Sequence, residues 1–186
     1  MAVKTKALVG AFLMLFAFLF ALVAAGTINW AVLHQPHGAS SVFLGLLWMC
    51  PSGSGGGGAC SIIHNGKKSG TGSPLEQFHG GSVSSGGKAS FSMLFLALVP
   101  GAAAVVMSFP LALGIGSKSK LISMLGAFVF CFFTTLAWLL YASIVLHVNN
   151  SQLETPLGDL SPGFSFSFDV IASVFSAAAG VLFALS

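Results

Sequence analysis

Arginine is absent from this 186-residue chain, and charge of either sign is scarce: seven Lys, four acidic residues, 6% charged in all. A soluble domain carries roughly 25%. So few charges cannot cover a water-exposed surface, which excludes an ordinary soluble globular protein. The Lys residues are dispersed and the formal net charge is only +3, which gives no basic patch for nucleic acid. Cysteine is scarce too. The three present form no Cys-x-x-Cys pair, so a four-helix disulfide-forming oxidoreductase, which cycles electrons through such pairs, is excluded. His34-Gln35-Pro36-His37 has two imidazoles but no neighbouring carboxylate or thiol to complete a metal site, and His147 falls at a span end rather than where a haem between helices would need it. No catalytic cluster is evident, and the chain reads as a non-enzyme with no cofactor and no small-molecule substrate.

What is present is apolar: 55% hydrophobic residues, with 18 Phe. A membrane-spanning helix needs about 20 mostly apolar residues, and four stretches qualify, at about 7–25, 91–114, 121–146 and 166–185. The expected fold is an all-α membrane protein, a four-transmembrane helix bundle forming one domain. The first stretch follows Lys4 and Lys6 like a signal peptide, but its apolar run exceeds the usual h-region of about 7–15 residues, so it is expected to be retained. Lys118 and Lys120 lie in the short link between spans two and three, on the same side as Lys4 and Lys6. The positive-inside rule places that side, and both termini, in the cytoplasm. Pro100 and Pro110 fall inside the second span as tolerable kinks. Asp169 is the one acid in a span; it reads as an N-terminal helix acid near water, favoured by the helix dipole, or as a proton or cation site.

Small residues recur every fourth position as Ala17, Ala21 and Ala25 on the first span and Ala172, Ser176 and Gly180 on the fourth. Such faces allow close helix approach. The first outside loop, about 26–90, holds two apolar stretches suited to strands, Thr27–Leu33 and Ser41–Trp48, and then a Gly- and Ser-rich half read as flexible. Within it Cys50 and Cys60 stand ten residues apart. On the oxidising side of a membrane they are expected to pair, with free thiols as the alternative. The chain-entropy model gives such a ring about 2.7 kcal/mol. Cys131, inside the third span, reads as a small apolar residue. The second outside loop, about 147–165, carries Asn149-Asn150-Ser151, so Asn149 is a candidate glycosylation acceptor, although its nearness to the span argues against occupancy.

Trp30 after the first span, then Gly45-Leu46, Trp48, Cys50, nine residues and Cys60 resemble the motif of the claudin superfamily in the broad sense, which takes in claudins, peripheral myelin proteins and fungal Pali-type tetraspans. The family has Gly-Leu-Trp; here Leu47 stands in the Trp place and Trp48 follows one residue later. The resemblance implies a small antiparallel sheet in the first outside loop, on a left-handed bundle, with Trp30 and Trp48 near the bilayer surface. It further implies a structural, organising or adhesion component at the plasma membrane or another secretory-pathway membrane. Such a protein would act through its pinned loop and lateral helix packing on lipid, on other membrane proteins or on copies of itself. The alternative is an auxiliary subunit of a channel, transporter or other membrane complex.

Overall fold

The computed structural model describes residues 5–34, 40–53, 61–62, 81–114, 117–147 and 159–186. Four long helices dominate: α1 (Thr5–Gly26), α2 (Gly81–Ala112), α3 (Ser117–Tyr141, continued by a π-helical turn over Ala142–His147) and α4 (Phe164–Ala184). Each contains a stretch of 21 to 28 residues long and apolar enough to cross a membrane. At about 1.5 Å per residue even the shortest reaches the roughly 30 Å of a hydrocarbon core.

The side each helix buries is its small and polar side. On α1 the buried set includes Ala7, Gly10, Met14, Ala17, Ala21 and Ala24, in alternating steps of three and four. On α4 Ser165, Asp169, Ala172, Ser176, Ala179 and Phe183 follow the same 3.5-residue rhythm. That is the repeat of left-handed helix packing. It replaces the four-residue spacing expected on α1, because Ala24 rather than Ala25 continues the buried line. Most of the large apolar side chains point the other way. Phe12 is 53% exposed, Phe95 62% and Val99 73%, the reverse of a helix folded in water.

By its own contacts the chain divides into two compact units. The helical unit takes residues 1–25, 93–136 and 168–186, and glycines set its spacing. A Cβ on Gly10 would come within 2.8 Å of the Phe183 ring, and one on Gly126 within 2.8 Å of the Pro100 carbonyl oxygen and 2.9 Å of Ala104 Cβ. A Cβ on Gly101 would crowd the rings of Phe130 and Phe18, and one on Gly180 the Phe128 ring. Phe20 of α1 stacks on Phe168 at 5.4 Å and tilts against Phe175 at 6.0 Å, both on α4. The chain ends of α1 and α4 thus run antiparallel. Gly180, anticipated as part of the surface α4 offers to α1, abuts α3. Gly114, with φ +75°, closes the C-terminus of α2, donating its N–H to Leu111 O.

The second unit takes residues 26–92 and 137–167. It holds one antiparallel sheet of β1 (Ala31–His34), β2 (Ser40–Leu44), β3 (Trp48–Gly53), β4 (Ser61–Ile62) and β5 (Asp159–Pro162), in the order β4-β3-β2-β1-β5. Three features depart from the sequence reading. The second outside loop contributes an edge strand, β5, paired to β1 from Ala31↔Pro162 to His34↔Asp159. The stretch expected as one strand over 41–48 is broken by a turn at 45–47, which Gly45 closes by donating its N–H to Trp48 O at 2.7 Å. Helix α2 begins at Gly81, ten residues earlier than expected and inside the tract read as flexible. A Cβ on Gly86 would press on Ile144 and Val145, and one on Gly87 on the Leu46 carbonyl. Those glycines are compatible with helix because tertiary packing, not helix propensity, holds that turn.

Candidate functional site

Trp30, Gly45, Leu46, Trp48 and Cys50 all fall in the sheet unit, and the backbone explains their separate environments. Trp30 is the hinge between strands: its N–H donates to Leu44 O at 2.9 Å, and its carbonyl accepts from Gly163 N at 2.8 Å. Its indole is fully buried, 5.0 Å from the Tyr141 ring and 6.2 Å from Phe166. It is therefore enclosed by protein. Gly45 sits where a Cβ would meet Ile28 Cα at 2.9 Å, so only glycine fits without movement. Leu46 is buried, and its carbonyl meets the glycine face of α2. The turn turns these two residues inward and releases Trp48 at the start of β3, where it is 44% exposed. Ile28, two residues beyond α1, is exposed as well.

The register places Cys50 opposite Phe43, on the sheet face shared with Val32 and Ser161; Ala31, Val42 and Leu44 are buried on the other. Cys50 is itself buried. Cys60 and Asn149 lie outside the described residues. Cys131 is a free thiol, and its Sγ lies 3.3 Å from Ser173 O across α3 and α4. Of the small residues singled out on the helices, Ala17, Ala21, Ala172, Ser176 and Gly180 are buried, while Ala25 is half-buried.

A second group was not visible in the sequence. Around Phe166 the rings of Trp30, Trp138 and Tyr141 converge, with Trp138 at 6.3 Å and Tyr141 at 6.4 Å from it. Several buried polar atoms of the same unit make no hydrogen bond among the described residues: Asn29 Oδ1, Ser90 Oγ, Trp138 Nε1 and Tyr141 OH. In the helical unit Ser123 Oγ and both carboxyl oxygens of Asp169 share that condition. Asp169 is fully buried, which corrects the expectation of an acid reaching water. Its position on the seam, four residues after Ser165 and three before Ala172, points it inward whatever its distance from the helix start.

Among the described residues no group of three or more His, Cys, Asp or Glu is placed to hold a metal ion. No family model matches the chain, and no curated protein matches it either.

Proposed function

We propose that this chain is an integral membrane tetraspan of claudin-like type, a non-enzymatic component that organises its neighbours through an outside sheet and lateral helix contacts. The observation that carries the reading is the inverted distribution of the helices. Ala, Gly and Ser fill the seams while Phe, Leu and Val face outward. In water each outward-facing large side chain would forgo about 1.5–3 kcal/mol of burial; in lipid the cost vanishes, and small seams give the van der Waals packing on which helices there depend. Lys6 in the first turn of α1 and Lys118 and Lys120 at the start of α3 mark one end of the helices, and by the positive-inside rule that end and both termini are cytoplasmic. The sheet then lies outside, on the plasma membrane or another membrane of the secretory pathway.

The sheet is the proposed contact element. Trp48 and Ile28 give it an exposed apolar spot flanking Gly45, suited to a neighbouring protein or the lipid interface. Its pinning is attributed to a Cys50–Cys60 bridge. Supporting this pairing, Cys50 is held buried on β3, whereas Cys131 lies apart from it on α3 as a free thiol. The claudin-like reading draws on the placement of Trp30 as strand hinge, Gly45 and Leu46 in an inward turn, and Cys50 on the following strand.

Two measurements test the proposal. Cys50→Ser and Cys60→Ser should reduce surface delivery equally, with the double variant no worse than either; normal delivery of either single variant sinks the bridge. On native gels in mild detergent a ladder of homo-oligomers is expected. A fixed band shared with a foreign pore subunit would instead make the chain an auxiliary subunit of that complex.

A further inference from the structure

We propose that Asn29, Ser90, Trp138 and Tyr141 enclose an internal hydration site, a place for ordered water beneath the sheet. The four belong to the sheet unit, and separate ring contacts, backbone contacts and helix register support placing them around the Trp30 and Phe166 rings. Trp138 and Tyr141 lie three residues apart on one face of α3, and both rings stand within 6.4 Å of Phe166. Asn29 immediately precedes Trp30, whose ring is 5.0 Å from Tyr141. The Asn29 Oδ1 atom points at Gly163, 2.6 Å from where a Cβ would stand, and its carbonyl accepts from Ser165 N at 3.0 Å. The fourth residue is placed by helix register. Gly86 meets Val145 and Gly101 meets Phe130, so α2 and α3 run antiparallel, and Ser90, four residues after Gly86, is level with Tyr141, four residues before Val145.

The chemistry of the four atoms selects the ligand. The Trp138 indole is a donor only, Asn29 Oδ1 an acceptor only, and the Ser90 and Tyr141 hydroxyls are both. All four are buried and make no hydrogen bond among the described residues. A cation would satisfy the acceptor and leave the indole N–H facing a like charge; an anion would do the reverse. An apolar occupant would satisfy none. Water, with two donors and two acceptors, serves all of them, and buried waters are found where about three polar groups converge. Ser90 is wholly buried and Tyr141 nearly so, which favours a small occupant over a lipid or sterol hydroxyl. The site does not depend on the functional reading above.

X-ray hydroxyl-radical footprinting with mass spectrometry, on the full chain in phosphatidylcholine nanodiscs, tests the proposal without a mutation, because bound water generates radicals in place. Met14, fully buried on the α1 seam, is the dry control, and thioether sulfur is readily oxidised. Tyr141 and Trp138 are expected to be modified while Met14 is spared. Ser90→Ala, which keeps every ring, should lower Tyr141 modification, and repeating the measurement in lipid-free detergent should leave it unchanged. Tyr141 and Trp138 as inert as Met14 would overturn the proposal. So would modification that appears only when Met14 is modified too, which reports opening of the fold, or that disappears without lipid, which reports a lipid hydroxyl.

Discussion

The helical unit and the sheet unit bury opposite kinds of side chain. In the first, the seams are Ala, Gly and Ser, and the large rings that enter, such as Phe183 and Phe130, do so where a glycine opposite leaves room. In the second, Trp30 and Tyr141 lie at the centre. The difference follows from the surroundings proposed for each. Between helices in lipid there is no hydrophobic driving force, so attraction depends on close approach, which bulky residues would prevent. A small sheet in water has to remove apolar area to be stable at all, and aromatic rings bury the most area per residue.

The sharpest way to break that comparison is to exchange the two kinds of residue. Trp30→Ala should be the most damaging single change, costing about 3–5 kcal/mol, because it empties the centre of the sheet unit and loosens the contacts of Tyr141 and Phe166 together. Thermal unfolding in nanodiscs, followed by fluorescence of the remaining Trp138 and Trp48, measures it; a loss under about 1 kcal/mol would show that Trp30 is peripheral. Gly126→Val is the mirror experiment in the helical unit. Its added atoms meet the Pro100 carbonyl and Ala104, neither of which can swing aside as a flexible side chain would. About 1–3 kcal/mol should be lost. If the variant is as stable as the parent, α2 and α3 are not held by close approach, and the small-residue argument fails for that pair.

How legible these two units were in the sequence differs for the same reason. Helix length and apolarity are local properties, so the four helices stood out, as did the small faces of α1 and α4. Which of Ala24 or Ala25 is buried was not legible, because a 3.5-residue and a 4-residue repeat separate only after several turns. In the sheet unit the motif residues were visible but their orientations were not. Trp48 was read as part of the preceding strand because nothing local announces the turn that Gly45 makes against Ile28, a contact from another part of the chain. Strand β5 was missed since Asp159-Leu160-Ser161-Pro162 has little strand character; it pairs because β1 offers it an edge, where the Pro162 ring is tolerated. The start of α2 was hidden by Gly86 and Gly87, whose lack of side chains reads locally as flexibility and serves tertiary contact instead. Asp169 was placed by its distance along the helix, whereas its seam position decides its burial.

The smallest expected effect bears most directly on what surrounds the helices. Phe12 is exposed on α1, while Phe183, of the same residue type, is buried against Gly10. Phe183→Ala should cost about 3–5 kcal/mol. Phe12→Ala should fall within about 0.5 kcal/mol of the parent in nanodiscs, since lipid chains replace the ring with matter just as apolar. The contrast has a second use. If the outward face of α1 serves instead as a contact between copies of the chain, Phe12→Ala would leave the unfolding temperature of the dissociated protein unchanged and still shift the oligomer ladder toward monomer. A loss of stability at Phe12 comparable to that at Phe183 would mean that the outward-facing rings contribute to the fold itself. The division into small seams inside and large apolar faces outside would then no longer account for the helical unit.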